Sequence, residues 1–138
     1  MNPALLMLIA CMAPEHELSP YTVSAIVELE SQWRPNAVGK LGEQGLLQLR
    51  PEFYRGPWNY ADPETNLRLG LETLAKAKRD CPLQSPIDKL FVVCHNRGMT
   101  GAGRLTTAQA LEDKYFLKFR RIREAHKAQR LFEHIRCR

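Results

Sequence analysis

Two strong helix starts constrain the fold of this chain more than any other feature of its sequence. Ser19-Pro20 and Asp62-Pro63 each place a capping side chain before a proline in the first helical turn. Leucines at helical spacing follow the second start, so residues 63–80 are predicted to form a helix. No run of strands supports a sheet-based fold. The sequence therefore predicts an all-α domain.

Weaker signals place the other elements. The helix that starts at Ser19 is predicted to end near Gln32–Arg34, because Pro35 disfavours the helical conformation in the residue before it. Apolar patterns predict five to seven helices in all. The others are a first helix over residues 2–11, a buried helix over 87–95 after a linker at 82–86, and a helix over 107–135 in two pieces that meet near Lys114.

A glycine-rich segment is the one conspicuous irregular part of the predicted domain. Asn36 to Gln48 contains Gly39, Gly42 and Gly45 in a pattern that has no helical period. We interpret the segment as a structured loop, with room for at most a small β-hairpin.

Length and composition fit one domain that spans residues 1–138. Hydrophobic residues make up 44% of the chain and charged residues 25%, as in an ordinary globular protein. No apolar run approaches the roughly 20 residues that a membrane span needs. We therefore expect no transmembrane segment.

The net charge of +5 is concentrated near the carboxyl terminus. Residues 114–138 contain nine Lys or Arg and two acidic residues, Glu124 and Glu133. A basic helix over 114–138 fits an anionic polymer such as nucleic acid, teichoic acid, lipid headgroups or the carboxylated peptides of a cell wall. A solvated helix face explains the same charges equally well.

The four cysteines have neither the C-x-x-C spacing of a redox pair nor that of a zinc ribbon. Four cysteines pair in three ways, and the sequence does not select one. Cys11 and Cys94 have apolar neighbours, as small buried hydrophobic residues do, whereas Cys81 and Cys137 lie at predicted helix ends. We therefore expect free thiols rather than disulfides.

The amino-terminal segment Leu8-Ile9-Ala10-Cys11 resembles a lipoprotein cleavage box. A secretion signal requires positive charge before its apolar stretch. Here, however, the apolar stretch is short and no Lys or Arg precedes it. We therefore expect a first helix of the mature protein, which would reach its place of action by a route other than a signal peptide.

Glu30 continues an apolar stripe on the predicted second helix. The other members of the stripe are Val23, Ile26 and Val27. Glu28 is predicted to face water instead. A buried carboxyl beside Trp33 is desolvated, which favours the neutral form that a general acid needs. The alternative is a structural glutamate that is capped by backbone groups or paired with an arginine.

Four blocks of the sequence resemble the soluble lytic transglycosylase family. The first contains the pair Glu30-Ser31 and then Gly42-Glu43-Gln44-Gly45-Leu46-Leu47-Gln48. The others are Asp62-Pro63-Glu64-Thr65-Asn66, Val93-Cys94-His95-Asn96-Arg97-Gly98 and Tyr115-Phe116-Leu117-Lys118-Phe119. The blocks occur in the family's order over residues 5–125, which makes the resemblance specific. It implies a lysozyme-like fold and cleavage of peptidoglycan glycan strands.

By this resemblance Glu30 is the catalytic acid and base. The residues implied to bind substrate are Ser31, Gln48, His95, Asn96 and Tyr115, together with Leu46 and Leu47 through their backbone. Tyr115 would orient the Glu30 carboxyl, while the Gln48 and Asn96 amides suit sugar groups. Each of three residues also has a structural alternative when it is considered alone. Gln48 could tether the loop, Asn96 could cap the end of a helix, and Tyr115 could be part of the core. No metal is expected, because no His or Cys is spaced to bind one with His95, and no cofactor is implied.

Two positions depart from the family pattern, because Gly39 stands where the family has a serine and His95 where it has a tyrosine. The departures affect substrate affinity rather than the acid.

No second carboxylate is an obvious partner for Glu30, since Glu43 lies in a loop and Asp62 is a helix cap. A lone acid suits transglycosylation, in which the muramic acid 6-hydroxyl attacks its own anomeric carbon.

Three alternatives stay open: a hydrolase like goose-type lysozyme that uses Glu43 or Asp62, a catalytically weak wall-binding or assembly module, and a nucleic-acid binder, the least favoured. The expected partner is peptidoglycan. If the enzyme is phage-encoded or injected, virion or secretion-machinery proteins are further expected partners. The expected location is the periplasm or cell wall.

Overall fold

A computed structural model describes residues 2–83 and 89–138 of the chain. Within them lie seven α-helices and two 3₁₀ turns, the latter at Ala13–His16 and Pro51–Phe53. The helices are α1 (Pro3–Met12), α2 (Pro20–Ser31), α3 (Pro63–Asp80), α4 (Phe91–Arg97), α5 (Met99–Gly103), α6 (Thr107–Leu111) and α7 (Lys114–Ala128). The predicted all-α, lysozyme-like class is confirmed.

Helix α2 packs against α1 and α7. It has the predicted cap, because the Ser19 hydroxyl accepts a hydrogen bond from the Tyr21 N–H. Residues 22–27 are all buried, which leaves little of the helix in contact with solvent before its last turn. After the helix, Gln32 and Trp33 turn the chain with φ angles of 51° and 65°. After residue 27, the partly exposed polar side chains of α2 are those of Glu28 and Glu30 at its carboxyl end.

Helix α3 matches the prediction for residues 63–80. Its N-cap is Asp62, whose Oδ2 accepts the Thr65 N–H at 2.9 Å. Leu67, Leu71 and Leu74 are fully buried. The helix packs against α1 and α4, so it forms the second wall of the core.

The glycine-rich loop docks directly on α3. Isolated antiparallel bridges centred on Gln44 stand in place of a hairpin. A Cβ added at Gly45, where φ is 81°, would lie 2.2 Å from Asn66 Nδ2, and one added at Gly70 would lie 2.4 Å from Leu47 Cδ1. Because real Cβ atoms need more space than this, glycine at both positions permits the close approach.

All four cysteines form disulfides, so the expectation of free thiols is wrong. Cys11 on α1 pairs with Cys137, and Cys81 at the end of α3 pairs with Cys94 on α4. The paired Cα atoms lie 5.4 and 5.8 Å apart, as in ordinary disulfides. Cys94 is buried, as its apolar neighbours in the sequence suggested, and Cys81, which was predicted to lie at a helix end, is buried as well.

The carboxyl-terminal segment is less helical than predicted. The break near Lys114 is present between α6 and α7, but α7 ends at Ala128, well before residue 135. Beyond it Arg130 has a φ of 55°, and the Leu131 N–H donates to the His126 carbonyl. The disulfide of Cys137 to α1 draws this segment back across the domain, which a continuing straight helix would not permit.

Helix α4 begins at Phe91 and ends two residues after the predicted end, with Gly98 as its C-cap at a φ of 83°. The predicted start of this helix at Ile87, and residues 84–86 of the predicted linker, lie outside the described residues. In the described part of the chain, no helix is both long and apolar enough to cross a membrane.

Candidate active site

Glu30 lies in the last turn of α2 and lines a cavity of about 320 Å³. The cavity is walled by the glycine-rich loop, the Pro51–Phe53 turn, α3 and α4. A neighbouring hollow of about 460 Å³ shares Glu30 and Gln48, and another of about 590 Å³ shares Asn96. The three hollows therefore adjoin, with Glu30 at one of the junctions. The three adjoining hollows together are called the groove, and a row of hollows suits a polymer better than a small molecule.

A hydrogen bond from α7 holds the Glu30 carboxyl. The Tyr115 hydroxyl donates to Glu30 Oε2 at 2.8 Å. Burial raises the pKa of Glu30, the hydrogen bond from Tyr115 lowers it, and the charge of Glu43 raises it. Desolvation is the largest of these effects, so the net shift favours the protonated acid. Burial and the neighbouring Glu30 also raise the pKa of Tyr115, which therefore stays a hydrogen-bond donor.

Gln48 lines the same cavity but is tethered inside its own loop. Its Nε2 donates to the carbonyls of Ala37 at 3.1 Å and Gly45 at 3.0 Å. Its backbone has a φ of 50°, which is uncommon for a residue other than glycine. Tethering thus accounts for the amide nitrogen, whereas Oε1 has no hydrogen-bond partner among the described residues and is available to a ligand.

Asn66 supports the site, although the sequence analysis gave it no role of its own. Its Oδ1 accepts the Leu47 N–H at 2.9 Å, and its Nδ2 donates to the carbonyls of Gln44 and Tyr60 at 3.0 Å each. Asn66 is fully buried, so these bonds fasten the loop to α3. The signal was present in the Asp-Pro-x-x-Asn block, four residues after the helix cap.

Helix α4 brings His95 and Asn96 into the cavity wall. Burial lowers the pKa of His95 to about 4, so its imidazole is neutral near neutral pH. Asn96 is exposed in the last turn, and Gly98 rather than Asn96 caps the helix. The Cys81–Cys94 disulfide joins α4 to α3 immediately before His95.

The structure does not bring all of the predicted substrate-binding residues to the cavity. Leu47 lines it, but Leu46 is fully buried in the core. Ser31 is 1% exposed, and its hydroxyl donates to the Val27 carbonyl one turn earlier in α2. The side chains of Ser31 and Leu46 therefore do not line the cavity, whereas the contribution of the backbone around Leu46 and Leu47 stays a prediction.

Glu28, predicted to face water, has a side chain that is 37% exposed and also takes part in a link between α2 and α7. Its Oε1 accepts a hydrogen bond from Trp33 Nε1 at 3.2 Å and lies 2.9 Å from His126 Nε2. His126 Nδ1 lies 2.8 Å from the Ser24 hydroxyl. Because Ser24 is fully buried, this serine, histidine and glutamate arrangement is structural rather than nucleophilic.

Glu43, unlike Asp62, lies at the cavity. Its Oε1 accepts the Leu41 N–H at 2.6 Å. A Cβ added at Gly39 would lie 2.9 Å from Glu43 Oε1 and 2.7 Å from Gln48 Oε1. The missing side chain at position 39 therefore leaves room for the Glu43 carboxylate, which the sequence analysis did not connect with that departure.

A model of the transglycosylase SLT domain family matches residues 7–99, more than half of the chain. The chain belongs to this family. The matched range contains Glu30, the glycine-rich loop, α3, and the His95-Asn96 pair, whereas Tyr115 lies beyond it. Comparison with curated proteins returned no match.

SLT-domain membership indicates lytic transglycosylase activity on cell-wall peptidoglycan. The groove of this SLT domain is suited to that substrate in size and polarity, since carboxyl, amide and imidazole groups line it together with apolar side chains. No cluster of three or more His, Cys, Asp or Glu suited to a metal ion occurs in the described residues.

Proposed function

We propose that this protein cleaves the β-1,4 bond between N-acetylmuramic acid and N-acetylglucosamine and leaves a 1,6-anhydromuramic acid end, with Glu30 as the single acid and base. The observation that supports this best is the position of Glu30, a carboxyl with a raised pKa that lines the groove and accepts a hydrogen bond from Tyr115. A proton donor of this kind is what the first step requires.

The proposed first step is protonation of the glycosidic oxygen. Since Tyr115 donates to Oε2 of Glu30, we place the transferable proton of Glu30 on Oε1. Transfer of that proton allows the bond between C1 and the glycosidic oxygen to break, with the bonding electrons leaving on oxygen. Positive charge then develops on the muramic acid ring, and Glu30 becomes a carboxylate that the Tyr115 hydroxyl stabilises.

The proposed second step returns the proton to Glu30. The C6 hydroxyl of the same ring attacks C1, and the Glu30 carboxylate removes its proton. The new bond from O6 to C1 forms the anhydro ring, and no water is consumed. Gln48 Oε1, His95 and Asn96 provide polar groups to orient the sugar and are proposed as its binding residues.

A second candidate is hydrolysis, and the position of Glu43 favours it. Glu43 lines the same cavity as Glu30, as the second carboxylate of a glycoside hydrolase would. Mass spectrometry of digested peptidoglycan separates the two candidates. Anhydromuramic ends support transglycosylation, whereas reducing muramic acid without an anhydro product would establish hydrolysis.

The role of Glu30 is tested with Glu30→Gln, which keeps the shape and hydrogen-bonding capacity of the side chain but cannot supply the proton. We expect clearing of purified sacculi to fall by at least about a hundredfold. Glu64→Gln is the control, because Glu64 lies on the surface of α3 in an ion pair with Arg68. Unchanged clearing by Glu30→Gln would favour a wall-binding or assembly module instead.

We further propose that residues 1–138 act as one domain. The disulfide between Cys11 and Cys137 joins the two ends of the chain, and α7 packs against α2. A single cooperative unfolding transition seen by both fluorescence and far-UV circular dichroism is expected. Two separate transitions would contradict it.

A further inference from the structure

Phe53 is unusual among the apolar residues because it is 71% exposed and also lines the cavity of Glu30. Single exposed hydrophobic residues are common and need no explanation. Here, however, a second one, Leu41, is 67% exposed and lines the same cavity. The two come from different segments, the glycine-rich loop and the Pro51–Phe53 turn. Their coincidence at one cavity points to a ligand.

The Phe53 ring is held in place rather than loosely attached. Pro51 begins its 3₁₀ turn, and the Phe53 N–H donates to the Arg50 carbonyl at 3.0 Å. The Arg50 guanidinium lies 5.0 Å from the centre of the ring and forms a partly exposed ion pair of 2.6 Å with Glu52. A fixed aromatic surface loses little conformational entropy when a ligand covers it.

Leu41 is fixed from the other side of the cavity. Its N–H donates to Glu43 Oε1, and the Gly42 N–H donates to the Gly39 carbonyl, which closes the turn. The cavity is therefore lined by two exposed apolar side chains and by polar groups such as those of Gln48 and Asn96. A pyranose ring has the matching distribution, with axial C–H bonds on its faces and hydroxyl or acetamido groups at its edge.

We propose that Phe53, with Leu41 beside it, is a binding residue that stacks on the face of a sugar ring in the groove. The inference rests on the proposed function in one respect, since it takes the ligand to be a glycan strand. It specifies the ligand as an uncharged ring face rather than a carboxylate or a phosphate. Stacking adds affinity before the reaction and does not touch the bond that breaks.

The test compares variants in steady-state kinetics on soluble glycan strands. Phe53→Ala is expected to raise KM about tenfold with kcat nearly unchanged, because it removes binding that is equal in the ground and transition states. Phe53→Trp keeps an aromatic face and should stay within about twofold of wild type. Trp58→Ala is the matched control, since Trp58 is 43% exposed but does not line the cavity.

Binding is also measured by calorimetry in the Glu30→Gln background, which separates this proposal from the proposed reaction. Loss of strand affinity on adding Phe53→Ala supports stacking, even if the products prove to be those of hydrolysis. Unchanged affinity, an unchanged KM, or an effect on kcat alone would overturn it. Because Phe53 is exposed, Phe53→Ala should fold, and Phe53→Leu offers a second non-aromatic variant if it does not.

Discussion

The Tyr115 hydroxyl donates a hydrogen bond of 2.8 Å to Oε2 of Glu30 and thereby connects the first turn of α7 to the last turn of α2. The two residues are 85 positions apart in sequence. The bond favours the carboxylate, whereas burial favours the acid, so the two effects oppose each other at one group. Such opposition is suited to a residue that must first lose a proton and then regain it.

Tyr115→Phe removes this bond and leaves the ring in place. Because the bond lowers the pKa of Glu30, its loss raises that pKa, and the alkaline limb of the profile of kcat/KM against pH should move to higher pH. At the optimum, kcat should fall roughly ten- to a hundredfold, as expected for loss of a hydrogen bond of about 1.5–3 kcal/mol to a charged group. An alkaline limb that stays in place would contradict this role.

Glu43→Gln should shift the same limb in the opposite direction. The charge of Glu43 raises the pKa of Glu30, so its removal lowers that pKa and activity is lost at a lower pH. Glutamine still accepts the Leu41 N–H, so the loop should keep its conformation. Rates on solubilised peptidoglycan across pH provide the measurement, with Glu64→Gln as the unshifted control. A large loss of rate at every pH would instead support a direct role for Glu43 as the second carboxylate.

The helix starts were predictable because capping and proline signals act locally. Ser19, Asp62 and the leucines of α3 specify their elements without long-range information. Glu30 was predicted to line a site from its stripe and neighbouring blocks, and it does line the groove. Its catalytic role stays a proposal, as do the binding roles.

Long-range pairing was not predictable from local pattern. The disulfides, the two hydrogen bonds of Asn66 to the glycine-rich loop and the contact of Glu28 with His126 each join segments whose proximity only the fold decides. The shortened α7 has the same cause, since the chain after Ala128 is tied to α1 through Cys137. Delivery by a virion or a secretion machine stays a prediction.

Glu30→Gln should stabilise the protein near neutral pH. Burial raises the folded-state pKa of Glu30 above its ordinary value of 4.5, so ionisation at higher pH opposes folding. Glutamine carries no charge at any pH. The free energy of unfolding in urea should therefore be higher for the variant at pH 7, and the difference should disappear below about pH 4.5, where wild-type Glu30 is protonated in both states. Equal stability at pH 7 would contradict this.

Removal of the Cys11–Cys137 disulfide should lower stability without altering the groove. The crosslink spans a sequence separation of 126 residues. Its loss increases the conformational entropy of the unfolded chain, which lowers the free energy of unfolding by about 4–5 kcal/mol. Cys11→Ser/Cys137→Ser is therefore expected to unfold at a much lower urea concentration, with near-normal kcat where it is still folded. A strong loss of kcat in the folded variant would show that the carboxyl-terminal segment contributes to the site.

The Cys81–Cys94 disulfide should matter more for activity, because Cys94 directly precedes His95 and Asn96 in the cavity wall. Cys81→Ser/Cys94→Ser removes the covalent link between α3 and α4, so KM should rise. Because the disulfide closes a short loop with a sequence separation of 13, the free energy of unfolding should fall by about 3 kcal/mol. Dithiothreitol should likewise raise KM in the wild type, whereas in the variant, where it can reduce only Cys11–Cys137, KM should not rise further. Disulfides persist in oxidising surroundings such as the periplasm, which is consistent with action on the cell wall. Full activity after complete reduction, verified by thiol titration, would show that the disulfide does not position the cavity wall.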